Sequence, residues 1–152
     1  MYHAIVRAQV RRAFRLLSTG EADALAAQMR PDVHHTFPGE HALGGVRRDR
    51  EAVRAWLYRL HRLFPDLVFE PVSMAASGPP WATVVGVEWR NRGTLPDGSA
   101  YVNAGAHVLR LRWGRLVSFH AYLDATESAR ALDRLVELGV QEAGAEPITS
   151  SA

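Results

Sequence analysis

Five polar side chains that could take part in acid–base chemistry lie on two long alternating segments near the end of the chain. A purely structural hairpin would carry threonine and valine at these positions, which are Asn103, His107, His120, Tyr122 and Asp124. Alternation of apolar and polar residues is typical of a half-buried β-strand. Polar groups on a strand face that should be buried indicate a binding or catalytic site. Which of the five share one cavity depends on the turn between the strands.

That turn contains Trp113 and Gly114. A two-residue turn would place all five side chains on one face, but type I′ needs a positive φ at Trp113 and type II′ needs glycine there. We therefore predict a type I turn over Arg112 and Trp113, with Gly114 as the left-handed residue of a G1 bulge. This register divides the hairpin into one face with Asn103, Gly105, His107, Phe119, Ala121 and Leu123, and another with His120, Tyr122 and Asp124.

The division makes His107 the preferred catalytic candidate. A histidine in a half-apolar cavity can act as general acid or base near neutral pH, although it can also be a hydrogen-bonded wall residue without chemistry. Asp124 becomes the least favoured candidate, because Asp124-Ala-Thr-Glu127 fits a capping box that opens a C-terminal helix.

The elements that position these residues follow from periodicity and turn chemistry. Helices are predicted near residues 4–18, 22–29, 49–64 and 125–139, and strands near 33–37, 67–76, 81–92, 101–112 and 115–123. This order predicts an α+β domain in which three N-terminal helices pack on a curved antiparallel sheet. Such a sheet wraps around the helices to form a cone. The mouth of the cone is a natural ligand site. Residues 1–139 are expected to form one domain, and residues 140–152 a disordered tail.

Composition excludes several functional classes. The 152 residues contain no apolar run long enough to span a membrane and no signal-peptide pattern, so a cytoplasmic location is expected. The chain has no cysteine, which excludes disulfides and thiolate metal sites. Its net charge is only +2, and Arg7, Arg11 and Arg15 interleave with apolar residues as on a solvated helix face, so nucleic-acid binding is not expected.

A group of histidine and glutamate residues near the first strand has the composition of a metal site. Its members are His34, His35, Glu40 and His41. Neighbouring strand residues point to opposite sides, however, and no second ligand spacing supports the group. We therefore predict neither a metal nor a cofactor.

Several short motifs resemble those of a known family in their order and spacing. They are Phe64-Pro-Asp66, Glu88-Trp-Arg-Asn-Arg-Gly-Thr94, Asp97-Gly98, Tyr101-Val-Asn103, Gly114-Arg-Leu116 and Tyr122-Leu-Asp124-Ala-Thr. Over residues 5–139 the chain resembles the SnoaL-like branch of the nuclear-transport-factor-2-like superfamily, which includes polyketide cyclases, ketosteroid isomerases and limonene epoxide hydrolase. The resemblance implies a cone-shaped fold and a homodimer, which we expect to form through the outer face of the sheet.

The catalytic residues of ketosteroid isomerase are not matched. The resemblance would place its aspartate base at Phe37, its tyrosine at Ala13 and its protonated aspartate at His107. None of the three agrees in residue type, so that mechanism is not expected.

The catalytic residues of limonene epoxide hydrolase are not matched either. Its Arg-x-Asp pair would fall on Glu88 and Arg90 in reversed order, and its water-activating aspartate on Ala121. Its Tyr-x-Asn pair would fall on His34 and Thr36.

The loop before residue 100 leaves the orientation of Glu88 and Arg90 open. A four-residue loop would place both on the face of His107, where Glu88 could orient or charge the ring and Arg90 could stabilise an oxyanion. A three-residue bulged loop would turn Val87 and Trp89 inward instead. Hydrophobicity favours Val87 and Trp89, whereas the epoxide hydrolase resemblance favours Glu88 and Arg90.

These inferences combine into one functional prediction. We expect a cofactor-free acid–base enzyme of the isomerase or cyclase type, acting on an apolar ring-bearing carbonyl compound with His107 as proton carrier. The alternatives are a non-catalytic binding protein for an apolar ligand and an epoxide hydrolase. The expected partners are a small apolar ligand and a second copy of the chain, with no nucleic acid and no membrane. The predicted ligand-binding residues are His34, Thr36, Phe37, Trp56, Leu60, Phe64, Trp89, Tyr101, Asn103, Gly105, Phe119, Ala121 and Leu123.

Overall fold

A computed structural model describes residues 1–151, which form four α-helices, six strands and one 3₁₀ turn. None of these helices is long and apolar enough to cross a membrane. The elements are α1 (Tyr2–Ser18), α2 (Ala22–Ala26), β1 (Met29–Phe37), β2 (Gly45–Arg47), α3 (Arg50–Leu63), β3 (Val68–Ser77), β4 (Thr83–Thr94), β5 (Ala100–Arg112), β6 (Arg115–Leu123), α4 (Ala125–Glu137) and the 3₁₀ turn (Gln141–Gly144).

The six strands form a single sheet in the order β2-β1-β6-β5-β4-β3, and α1 packs on β3 while α3 packs on β1. The α+β class is confirmed. The expectation of a purely antiparallel sheet is wrong at one pair, because β1 lies parallel to β6 while every other pair is antiparallel. The short strand β2, in a segment where no strand was predicted, extends the sheet beyond β1.

The turn between β5 and β6 differs from the prediction. Arg112 pairs with Arg115, so the turn has two residues, and both Trp113 (φ 50°) and Gly114 (φ 76°) have the positive φ of a type I′ turn. A tryptophan is costly in this conformation. The backbone N–H of Trp113 donates a hydrogen bond to the Pro80 carbonyl at 2.7 Å, which ties the turn to the neighbouring β3–β4 loop.

The bulge exists, but it lies on β6 beyond the turn. Leu111 pairs with Leu116, whereas Arg110 pairs with Ser118, so Val117 is the extra residue. One extra residue on either side of the turn shifts the strand faces in the same way. The predicted division of the hairpin into two faces is therefore correct although the predicted turn is wrong.

The loop between β4 and β5 settles the open orientation. The N–H of Leu95 donates to the Ser99 carbonyl, the N–H of Gly98 donates to the Leu95 carbonyl, and Gly98 has a φ of 83°. This is the three-residue bulged alternative. It turns Val87 and Trp89 inward, where both are buried, and leaves Glu88 and Arg90 exposed on the outer face.

The segment after α4, which we expected to be a disordered tail, contacts the rest of the domain. Its 3₁₀ turn carries Glu142, which forms ion pairs with Arg59 and Arg62 of α3. Farther along, the Ile148 carbonyl accepts a hydrogen bond from buried Arg47 at 2.7 Å. The prediction missed these contacts because the segment has the small and polar composition of a free tail. Its last residue, Ala152, lies outside the described residues.

Removing this segment should destabilise the domain. Deletion of residues 145–152 removes the Ile148 carbonyl and leaves one hydrogen-bond donor of the Arg47 guanidinium without its partner. We expect the free energy of unfolding to fall by about 1–3 kcal/mol, measured by urea denaturation. Deletion of residues 151 and 152 alone is the control, because it keeps the Ile148 contact. Equal stability of the two truncated proteins would contradict the packing of the tail.

The outer face of the sheet carries exposed apolar side chains. Val102 of β5 and Tyr122 of β6 expose 61% and 56% of their surface. Exposed apolar side chains on one face indicate a contact surface. The homodimer through this face stays a prediction.

We expect the protein to elute as a dimer, with a mass measured by light scattering at micromolar concentration. Tyr122→Asp should shift it to a monomer, since a charge would be buried without a partner in the contact. Tyr58→Asp is the matched control, because Tyr58 is also an exposed tyrosine but lies on α3. A wild-type monomer would rule out the dimer.

Candidate binding cavity

The concave face of the sheet and helices α1 and α3 enclose an apolar cavity. Its volume is about 80 Å³, which is room for several water molecules. Aromatic walls come from Phe14, Phe37, Trp56 and Phe119. The polar residues of its lining are Gln9, Gln28 and His107. Within residues 1–151 no aspartate or glutamate lines this cavity.

His107 sits on β5 with only 7% of its surface exposed. The indole Nε1–H of Trp89 donates a hydrogen bond to its Nδ1 at 2.7 Å. Burial lowers the pKa of His107 to about 4. Because Nδ1 accepts a hydrogen bond, the single proton of the neutral ring is on Nε2.

This arrangement argues against the predicted role of His107 as proton carrier. A second proton on Nδ1 would point at the Trp89 N–H, so two donors would face each other in a buried site. In the neutral ring Nε2 carries hydrogen and has no free lone pair to accept a proton. The group that His107 can offer to the cavity is therefore a hydrogen-bond donor, Nε2–H.

Glycine at position 105 allows Trp89 to reach His107. Trp89 pairs directly with Gly105 across the two strands. A Cβ atom at Gly105 would overlap the carbonyl oxygen of Tyr122 and approach the indole ring of Trp89 to 3.0 Å. We expected Gly105 to contact a ligand; the structure instead fills the space over it with protein.

His35 is the important site residue that sequence reasoning missed. Strand β1 turns Val33, His35 and Phe37 inward, so His34 and Thr36, which we predicted to bind the ligand, do not line the main cavity. The signal was the alternation of this triplet, with apolar residues on either side of His35. The resemblance to the epoxide hydrolase pair pointed to the opposite face of the strand.

The His35 ring supports the cavity wall from behind. It stacks on Phe119 with centroids 4.2 Å apart and meets Trp56 edge-on at 4.3 Å. Its Nδ1 accepts a hydrogen bond from the Arg47 Nε–H at 2.9 Å. Burial, together with the charge of Arg47, lowers the pKa of His35 well below its ordinary value. His35 is therefore a neutral ring that fixes two aromatic walls.

The other predicted ligand-binding residues are divided between three places. Phe37, Trp56, Leu60 and Phe119 line the main cavity. A second and smaller cavity, which also contacts Phe37 and Leu60, is lined by Phe64, Trp89 and Tyr101. A third depression, separate from both cavities, is lined by Thr36, Ala121 and Leu123.

Asn103 and Asp124 have structural roles. The Nδ2 group of Asn103 donates to the Asp124 carbonyl at 3.0 Å, and its Oδ1 accepts from the backbone N–H of Ala104. The Asp124 carboxylate accepts from the backbone N–H groups of Thr126 and Glu127, so it caps α4. The Glu127 side chain pairs with Arg130 and not with the cap, so the reciprocal half of the expected capping box does not form.

Glu88 and Arg90 do not reach His107. Both are exposed on the outer face, where the Glu88 carboxylate accepts a hydrogen bond from the Ser73 hydroxyl at 2.9 Å. Among residues 1–151, no group of three or more histidine, aspartate or glutamate side chains is placed to hold a metal ion.

Comparisons with known proteins agree with this architecture. TerC, co-crystallised with polyporic acid, is 17% identical over 87% of this chain and 98% of its own, with a TM-score of 0.70. SalBIII, an epoxide hydrolase/cyclase-like enzyme in pyran ring formation in the polyether salinomycin, is 19% identical over 82% and 95%, with a TM-score of 0.70. A protein of unknown function from Burkholderia pseudomallei, with the same nuclear-transport-factor-2-like fold, is 22% identical over 83% and 95%, also with a TM-score of 0.70.

No curated protein matches the sequence. The profile of the SnoaL-like domain matches residues 10–119, which is most of the chain. The protein therefore belongs to the SnoaL-like domain family and has the nuclear-transport-factor-2-like fold.

Proposed function

We propose that the protein binds a mostly apolar small molecule that carries a hydrogen-bond-accepting oxygen, and that the Nε2–H of His107 donates to this oxygen. The supporting observation is the hydrogen bond from Trp89 to His107 Nδ1, which leaves a neutral donor at the wall of an apolar cavity. A ketone, quinone or similar carbonyl oxygen fits such a donor, since it accepts without carrying a charge into the cavity.

Binding is better supported than the acid–base catalysis that we predicted from the sequence. Isomerisation through an enolate needs a base that removes a proton, and epoxide hydrolysis needs a group that activates water. Among residues 1–151, the cavity lining contains no carboxylate for either task, and Nδ1 of His107 is occupied. The geometry therefore favours the non-catalytic binding protein.

Ring closure is a second candidate, since a hydroxyl of the ligand can add to the ligand's own carbonyl carbon. The new C–O bond replaces the C=O π bond, and the hydroxyl proton moves to the former carbonyl oxygen, so no protein base is required. A neutral histidine N–H can polarise a carbonyl, as in the handling of its substrate by triosephosphate isomerase. The same donor in a water-poor cavity would stabilise negative charge that develops on oxygen. Similarity to SalBIII, which takes part in pyran ring formation, makes this candidate worth testing beside simple binding.

A pair of probes of equal shape tests the proposed hydrogen bond. 2-Acetylnaphthalene carries the carbonyl oxygen, and 2-isopropenylnaphthalene replaces that oxygen by a CH₂ group. We expect His107→Leu to weaken binding of the ketone about fivefold, which corresponds to one net hydrogen bond, and to leave the hydrocarbon unchanged or slightly tighter. Titration followed by tryptophan fluorescence measures both affinities, because Trp56 lines the cavity.

Ala13→Phe is the control variant for the cavity itself. Ala13 lines the cavity on α1, so the larger side chain should weaken both probes by occupying their space. If His107→Leu changed the affinities of ketone and hydrocarbon by the same factor, the hydrogen bond would play no part in recognition and the proposal would be wrong.

A further inference from the structure

Asn91 carries a buried amide oxygen without a hydrogen-bond partner among residues 1–151. It lies on β4 with 5% of its surface exposed, two residues after Trp89 on the same strand face. Its Oδ1 is fully buried and accepts no hydrogen bond within residues 1–151. Buried polar side chains are almost always hydrogen-bonded, so one without a partner needs an explanation.

Asn103, which lies directly opposite Asn91, is an example of an asparagine with a structural role. Asn103 pairs with Asn91 across β4 and β5 and is buried to a similar degree. Its Nδ2 contacts the Tyr101 hydroxyl at 3.1 Å and the Asp124 carbonyl at 3.0 Å, and its Oδ1 accepts from Ala104. The amide of Asn103 on β5 thus has hydrogen-bond partners for its nitrogen and its oxygen, whereas Oδ1 of Asn91 on β4 has none among residues 1–151. Asn91 does not serve to hold the strands together.

Asn91 lines the second cavity of the cone. This cavity has a volume of about 20 Å³, which is room for one group of the size of water or a hydroxyl. Tyr101 and Ser128 are its other polar lining residues, and their oxygens already contact each other at 3.2 Å. Oδ1 of Asn91 is therefore the side-chain acceptor in this lining that is free for an occupant of the cavity.

The two cavities are neighbours along the strand direction. Phe37, Leu60 and Phe69 line both of them, so one layer of side chains separates the two spaces. His107 pairs with Val87, four residues before Asn91 on β4, which corresponds to about 13 Å along the strand. The donor of His107 thus lies in one cavity and the amide of Asn91 in the neighbouring one, at opposite ends of the pair.

Resting on the proposed function, we infer that the ligand is an elongated apolar molecule with a polar group at each end: an accepting oxygen at His107 and a hydroxyl at Asn91. The hydroxyl donates to Asn91 Oδ1 inside the second cavity. The ligand passes between the two cavities by displacing the side chains of Phe37, Leu60 or Phe69. Asn91 is then the residue that selects hydroxylated ligands over their unsubstituted analogues.

Two naphthalene ketones test this assignment at neutral pH. 2-Acetylnaphthalene has only the carbonyl oxygen, whereas 6-hydroxy-2-acetylnaphthalene adds a hydroxyl at the far end of the ring system. We expect Asn91→Leu to weaken binding of the hydroxylated ketone about fivefold and to leave the parent ketone unchanged or slightly tighter. Isothermal titration measures both affinities in the wild type and in each variant.

The affinities of the His107→Leu variant for the two ketones distinguish a failure of this inference from a failure of the proposed function. The substitution should weaken both ketones by the same factor, because both carry the carbonyl, and should keep the difference between them. If His107→Leu has no effect while Asn91→Leu removes the preference for the hydroxyl, the proposed function fails and the Asn91 assignment stands. If Asn91→Leu changes both ketones equally or neither, a water molecule is sufficient for Asn91 and the inference is overturned.

Thermal unfolding provides a readout that does not depend on a ligand. We expect Asn91→Leu to keep or raise the midpoint of unfolding, since it replaces an unpartnered amide by an apolar side chain of similar size. Asn103→Leu, the matched variant on the opposite strand, should lower the midpoint because it removes the hydrogen bonds to Tyr101, Asp124 and Ala104. Equal losses in the two variants would show that Asn91 is structural, which would contradict the inference.

Discussion

The hydrogen bond from the Trp89 indole to Nδ1 of His107 determines the chemistry of the cavity. It fixes the proton of the neutral ring on Nε2, and together with burial it keeps the ring uncharged. The bond depends on two backbone features. The three-residue loop before β5 turns Trp89 inward, and the missing side chain at Gly105 lets the indole lie over β5. Without either feature, Nδ1 would lose the donor that fixes the position of the ring proton.

A second constraint holds the opposite wall of the cone. Arg47 is buried without a carboxylate partner among residues 1–151, and burial lowers its pKa to about 10. Its guanidinium instead donates to His35 and to the carbonyls of Gly44, Gly45 and Ile148, and its charged group lies 5.5 Å from the centroid of the Trp56 ring. A buried charge is tolerated only when its hydrogen-bonding groups are satisfied. This requirement explains why the C-terminal segment packs back against the domain.

The sequence allowed the fold to be predicted because its information is distributed over many turns and strand patterns. The inward orientation of His107 was also predictable, since a single extra residue anywhere near the β5–β6 turn gives the same faces. The role of His107 was not predictable. It depends on a 2.7 Å contact with Trp89, whose orientation the sequence left open until the loop type was known. A proton-carrying histidine and a fixed donor have the same sequence signature.

In strand β1 the orientation of the side chains was predicted wrongly, in contrast to that of His107. The alternation of Val33, His35 and Phe37 contained the correct face, but a resemblance to a distant enzyme favoured His34 and Thr36. Local hydrophobic alternation was the better guide because burial acts on every strand residue, whereas catalytic positions do not carry over between relatives with different chemistry. The free acceptor of Asn91 could not be predicted from the sequence at all. Only the contacts of its neighbours reveal that it is unpartnered while Asn103 is saturated.

His107 is a neutral hydrogen-bond donor at and above about pH 5, and its ring nitrogens can report this directly. Heteronuclear NMR of ¹⁵N-labelled protein should show a protonated Nε2 and an unprotonated Nδ1 from about pH 8 down to about pH 5, with ring protonation only near the lowered pKa of about 4. A proton on Nδ1, or titration of the ring near the ordinary histidine value, would contradict the account.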